Sequence, residues 1–218
     1  KLNAAEDAVL SLKGSTLVAT DSAGRHEIAL GVMDVDAEGF VFRAEETYDP
    51  PTKPLDKNGQ GVPYAQFGYA AHLVVVEVDT SYGTVKPIKF VAAHDVGRAI
   101  NPMLVEGQVH GGIVQGVGQA LHEHTVYDED SGQLVSGSFI DYRMPRAADV
   151  PNFDFSMRNE KCTTNPLGIK AGGEGGTTPA LAVITSAVAD ALKDFGVADI
   201  EMPLTPQKVW QAIRDAGR

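Results

Sequence analysis

The chain has 218 residues, 43% of them hydrophobic, with a net charge of −11 and a single cysteine; it can bury a substantial core as one large or two small domains. The acidic balance disfavours nonspecific nucleic-acid binding and adhesion to anionic membranes, both of which need clustered Lys and Arg. One cysteine, Cys162, excludes an internal disulfide framework and any cysteine-ligated zinc or iron–sulfur centre built by this chain alone. A reducing, cytoplasmic setting is the simplest expectation. No segment has the roughly 18 consecutive apolar residues needed to span a bilayer, and the N-terminus shows no signal-peptide pattern. The first residue is Lys1 rather than Met, so a piece of something longer is expected.

In chain order, residues 3–12 read as a helix end, Thr16 to Thr20 as a short strand and 26–33 as a short helix. Phe40 to Thr47 alternates in the manner of a strand, and Tyr48 to Gly61, with three prolines, reads as a loop. The following segments look like the same sheet continuing, so no domain boundary is drawn there. Phe67 to Asp79 and Val85 to His94 form a long antiparallel hairpin turning around Gly83. Asn101-Pro102 caps a helix that runs to about His122. Thr125 to Tyr142 reads as a second hairpin with its turn at Asp128–Gly132, and Phe153 to Asn159 as one more strand. Thr178 is the expected N-cap, with Pro179 the first residue, of a helix that buries Leu181, Ile184, Val188, Leu192 and Phe195 and stops at Gly196. Thr205-Pro206 caps a last helix through Val209, Trp210 and Ile213. The expected class is α+β, antiparallel strands and hairpins with packed helices.

Two stretches carry unusual chemistry. The helix after Asn101 contains five glycines, at about 1 kcal/mol each relative to alanine, so tertiary contacts must outweigh its weak propensity. Gln108, Gln115 and Gln119 fall within about 20° of one line on its surface, beside Gly111 and Gly112, while Ile113, Val117 and Leu121 take the opposite face. No charged residue lies between Glu106 and Glu123, so the Gln and Gly face is expected to be buried against something polar and uncharged, either neighbouring backbone or a large hydrogen-bonding ligand. The second stretch, Gly172-Gly-Glu-Gly-Gly176, sets one carboxylate among four glycines ahead of a helix. Phosphate cradles keep carboxylates away, so this turn suits a base better than an anion site; a tight turn with its Glu in water is the other reading. The histidines show no third ligand at a metal-binding spacing, and no dedicated protein-ligated metal site is expected. His94-Asp95 reads as a structural hydrogen-bonding pair or a ligand-orienting one, and Cys162 as a small packed residue.

With these residues in view, the chain resembles the C-terminal part of the molybdopterin-binding large subunit of the xanthine dehydrogenase and aldehyde oxidoreductase family. The resemblance covers nearly all of residues 1–218 and is carried by Asp95-Val-Gly-Arg-Ala-Ile-Asn-Pro102, Glu106-Gly-Gln-Val-His-Gly-Gly-Ile-Val-Gln-Gly116, Lys170-Ala-Gly-Gly-Glu174 and Ile200-Glu-Met-Pro-Leu-Thr-Pro206. It implies oxidation of an N-heterocycle or aldehyde with oxygen drawn from water, and a buried glutamate that takes the proton. Glu174 matches that catalytic base. Gln108 matches a glutamine that hydrogen-bonds molybdopterin, and Gly172 and Gly173 are assigned backbone roles near the cofactor, in its plain or cytosine dinucleotide form. The resemblance further implies [2Fe-2S] and FAD on partner subunits, and the remainder of the molybdopterin subunit as another partner, because family members are several times longer. Carbon monoxide oxidation or aromatic thioester reduction at the same centre, and a non-catalytic assembly module, are the alternatives.

Overall fold

The computed structural model describes residues 2–217. The chain divides after Asp49 into two compact units, Lys1–Asp49 and Pro50–Arg218. Each unit holds its own three-stranded sheet, ordered β1-β2-β3 and β4-β5-β6. This corrects the expectation that one sheet continues past the proline-rich loop: each set of strands meets its pairing needs locally.

In the first unit β1 (Val9–Lys13), β2 (Thr16–Asp21) and β3 (Gly24–Ala29) form an antiparallel meander. The segment read as a helix end therefore holds a strand, with Leu10 opposite Ala19 and Leu12 opposite Leu17. The expected helix at 26–33 is instead the end of β3 followed by one 3-10 turn, Leu30–Val32. Phe40 to Thr47 forms no strand; its alternating side chains find no partner strand, and Phe40 and Phe42 stay exposed.

The second unit is built on the hairpin of β4 (Tyr69–Asp79) and β5 (Thr84–Asp95), turned by Gly83 at φ 71°. The register shifts between Val75 and Val76, so that Val75 faces Lys89 and Val76 faces Pro87. Proline has no N–H for the ladder, and a local irregularity is where a strand tolerates it. β6 (Phe153–Met157) adds to β5 in parallel. The expected hairpin at 125–142 is reduced to one bridge, Tyr127 with Leu134, around an Asp128 turn in which Ser131 donates to the carboxylate. Charge and turn residues there outnumber the apolar positions that would bury a strand.

Three helices complete the unit: α1 (Pro102–Leu121), α2 (Thr177–Leu192) and α3 (Pro206–Ala216). The Asn101 side chain accepts from Leu104 N at 3.2 Å, and Thr205 accepts from Lys208 N at 3.4 Å, as their sequence signals imply. One core joins Phe90 and Ala92 of the sheet to Val109, Ile113 and Val117 of α1 and Ile184, Val188 and Leu192 of α2. Phe195, expected on the buried face, is 45% exposed because it lies in the 3-10 turn that ends at Gly196, φ 82°. Two of the α1 glycines explain the helix's low propensity. A Cβ on Gly112 would lie 3.0 Å from Gly176 Cα, and one on Gly116 2.6 Å from Ala180 Cβ. α1 and α2 approach so closely that only hydrogen fits, and the burial this allows offsets the intrinsic cost.

Candidate functional site

The end of β5 delivers the glycine-rich turn. Beyond Asp95, Arg98 N donates to Gly168 O at 2.8 Å and Lys170 N to Val96 O at 2.9 Å, so the strand's continuation pairs with residues 168–170. The Lys170 ammonium meets Asp95 Oδ2 at 2.5 Å, and Gly97 N donates to Asp95 Oδ1 at 2.9 Å. Burial by itself would raise the Asp95 pKa, but Lys170 and the Gly97 N–H outweigh it and hold the carboxyl below the usual range. Ala171 N then donates to Gln66 Oε1 at 3.0 Å. These contacts pin the chain immediately ahead of Gly172.

The turn itself runs straight into α2. Thr177 N and Thr178 N both donate to Glu174 O at 3.1 Å. The helix thus starts at Thr177 behind Gly176, and Thr178 is not its N-cap. The early start follows from Gly176, which is pressed onto α1: a Cβ there would come within 2.5 Å of Val109 O.

Glu174 is exposed and lines a cleft of about 690 Å³ with Gly68, Tyr69, His94, Asp95 and Pro179. Gln108 lines a second cleft of about 390 Å³ with Arg98, Asn101, Leu104 and Lys170. The two clefts share Val96 and Gly172. At that shared wall Gln108 Nε2 donates to Gly173 O at 3.0 Å. Gln108, Gly172, Gly173 and Glu174 are therefore brought together. A Cβ on Gly172 would stand 2.9 Å from Val96 Cγ1, whereas one on Gly173 would meet nothing within 4 Å.

The glutamine face of α1 differs from its expected state. Gln108, Gln115 and Gln119 are all exposed on this chain rather than buried. Thr177 Oγ1 donates to Gln115 Oε1 at 3.2 Å, so two of the three reach the start of α2 or the turn before it. Gly111 beside this line, and Gly107 further round the helix, have open space where a Cβ would stand. What results is an uncharged shelf of amides and open backbone leading to the turn.

The period-2 alternation of β4 puts His72 on the inward face with Val74, Val76 and Val78, a signal that lies in the strand pattern rather than in any motif. His72 Nε2 lies 2.8 Å from His94 Nε2. Burial, and secondarily the neighbouring His94, push the His72 pKa down to about 4, and burial also lowers that of His94. His122 stands at the end of α1 near Asp149, 3.9 Å away, and Cys162 is half-buried with Sγ 2.9 Å from Thr164 Oγ1. Among the described residues no three His, Cys, Asp or Glu side chains are grouped to hold a metal ion.

Comparison with known proteins gives this geometry a family. Residues 2–151 match the molybdopterin cofactor-binding domain; Gln108 falls inside the match and Glu174 beyond it. The chain is 40% identical over 196 residues to the gamma subunit of the 6-hydroxypseudooxynicotine dehydrogenase complex of Paenarthrobacter nicotinovorans, covering 86% of this chain and 24% of that one. Among solved structures, quinoline 2-oxidoreductase from Pseudomonas putida 86 superposes with a TM-score of 0.64 at 39% identity, over 66% of this chain and 18% of that one. Carbon monoxide dehydrogenase from Oligotropha carboxidovorans gives 0.67 at 28%, over 72% and 20%. The chain spans about a quarter or less of the length of these relatives. Across more than half its residues, then, this chain belongs to the molybdopterin cofactor-binding domain family, alongside large subunits of the xanthine dehydrogenase type.

Proposed function

We propose that this chain supplies one wall of a molybdenum cofactor site and the general base of an oxidoreductase of the xanthine dehydrogenase family. The observation that carries the reading is the hydrogen bond from Gln108 to Gly173 O, which sets an amide beside the residue that precedes Glu174. The shelf suits a pterin: it is uncharged, exposed, and open at Gly111, where no side chain would hold a ligand off the backbone. Gln108 spends one amide hydrogen on Gly173, leaving its Oε1 and second N–H for the cofactor. Gly172 and Gly173 offer backbone at the junction of the two clefts.

When bound, the molybdenum cofactor supplies the two-electron redox chemistry. Glu174 has a simpler task, to take a proton at a carboxylate oxygen when substrate reacts and release it to solvent afterwards. It stands one turn ahead of α2, on the turn that opens that helix. Its exposure in this chain leaves the other walls of the cleft to the remainder of the large subunit. On this reading residues 1–218 work as one C-terminal portion of that subunit, in a cytoplasmic complex whose partners carry [2Fe-2S] and FAD. No helix of the described residues is long and apolar enough to cross a membrane. A nitrogen heterocycle is the favoured substrate class over an aldehyde or carbon monoxide, because the compared proteins of higher identity are named for 6-hydroxypseudooxynicotine and quinoline.

The test is Glu174→Gln in the assembled complex. Molybdenum and pterin content should match wild type while turnover falls by about 10²–10⁴-fold, the range for loss of a general base. Near-normal turnover would remove Glu174 from that role.

A further inference from the structure

Directly beneath the turn that carries Glu174 lies the pair His72 and His94. Both point to the inward face of the hairpin, in the register that sets His72 opposite Ala92 and Ala70 opposite His94. Two ring nitrogens 2.8 Å apart need one proton between them, so one imidazole donates and the other accepts. His72 Nδ1 is enclosed with no partner. An N–H orphaned in that position is costlier than a bare nitrogen. The His72 proton therefore sits on Nε2 and is donated to His94 Nε2, which forces the proton of His94 onto Nδ1. That nitrogen is not enclosed and can reach solvent in the cleft. It lies 2.9 Å from where a Cβ on Gly175 would stand, and Gly172 O is 3.8 Å from the same point. His94 also lines the cleft that Glu174 lines.

Resting on the proposed role of Glu174, we propose that His94 is a positioning residue for that base: its ring, held by the hydrogen bond to His72, packs its Nδ1 edge beneath Gly175, supports the Gly172–Gly176 turn from below and sets where the Glu174 carboxylate stands. Gly175, the neighbour of Glu174, is the point of contact. The pair is well suited to the task because it stays neutral, both imidazoles resisting protonation. A neutral, enclosed pair holds one geometry, whereas a charged one would draw water beneath the turn.

Two near-isosteric variants separate this role from packing. In the assembled, molybdenum-loaded complex, His94→Asn keeps an amide N–H where Nδ1 stands, and His94→Gln keeps an amide where Nε2 meets His72. The expected result is a kcat for His94→Asn within about threefold of wild type and a fall of about tenfold or more for His94→Gln, with KM and molybdenum content steady in both. That scale follows from the steep dependence of catalysis on placement, about 10²-fold for 1 Å. Equal kcat for the two variants, or the reverse order, overturns the proposal. Should either fail to assemble, Gly175→Ala decides: its Cβ would collide with Nδ1, so kcat should fall about tenfold with molybdenum retained, and a wild-type kcat overturns the proposal. Glu174→Gln run in parallel distinguishes the levels. If it turns over normally the base role itself fails, and if it is inactive while the His94 and Gly175 variants are normal, only the positioning role fails.

Discussion

The two sides of α1 use the same residue for opposite purposes. Gly112 and Gly116 are buried, and a Cβ on either would strike α2 or the turn before it. Gly107 and Gly111 are exposed, and a Cβ on either would meet nothing. On the first side the absent side chain permits a close helix contact; on the second it keeps a polar backbone shelf open next to Gln108. A helix that needed only stability would have alanine at the second pair, where each glycine costs about 1 kcal/mol without any packing in return. Glycine there leaves open backbone beside Gln108, which suits the proposed cofactor shelf.

The sharpest way to break this contrast is to add a methyl group on each side. Gly112→Ala or Gly116→Ala should lower the stability of the complex by about 1–3 kcal/mol, the usual cost of overpacking, read as a drop in its thermal or urea midpoint. Gly111→Ala should raise stability by up to about 1 kcal/mol while reducing molybdopterin occupancy. If all three shift stability in the same direction, the two-sided account of α1 is wrong.

Acid should act on the buried histidine pair of the hairpin. The folded His72 is held near pKa 4 against an ordinary 6.5, so below about pH 6.5 the unfolded chain binds a proton that the folded chain refuses. Stability is then complete above about 6.5 and drains away as pH falls towards 4. His72→Leu should flatten that slope in urea titrations between these limits; superimposable curves for variant and wild type would exclude the buried pair as its cause. The smallest effect is expected on the open side. Gln108→Ala removes about 1 kcal/mol of hydrogen bonding, roughly a fivefold loss of cofactor retention, measured as molybdenum and pterin content after dilution. Unchanged occupancy would detach the glutamine face from the cofactor.

Much of the frame was legible because its signals are local. Asn101-Pro102 and Thr205-Pro206 announce helices through a side-chain acceptor and a fixed φ, and the β4–β5 hairpin through apolar runs about Gly83. The misreadings came where local preference was weak. Residues 9–13 take their conformation from pairing with β2, 40–47 alternate without a partner to bury them, and 125–142 keep a single bridge. Thr178 has the chemistry of an N-cap, yet the close contact of Gly176 with α1 starts the helix one residue before it.

The sequence by itself determined the family motifs, the acceptor-and-proline helix starts, and a glycine-ringed carboxylate ahead of a helix, since all of these are statements about neighbours along the chain. Only the tertiary structure decided what surrounds that carboxylate. Gln108 reaches Gly173 across 65 residues, His72 meets His94 across 22, and Lys170 pairs with Asp95 across 75. Periodicity shows which face a side chain takes on its own element, and only packing shows which side chain of another element it meets there.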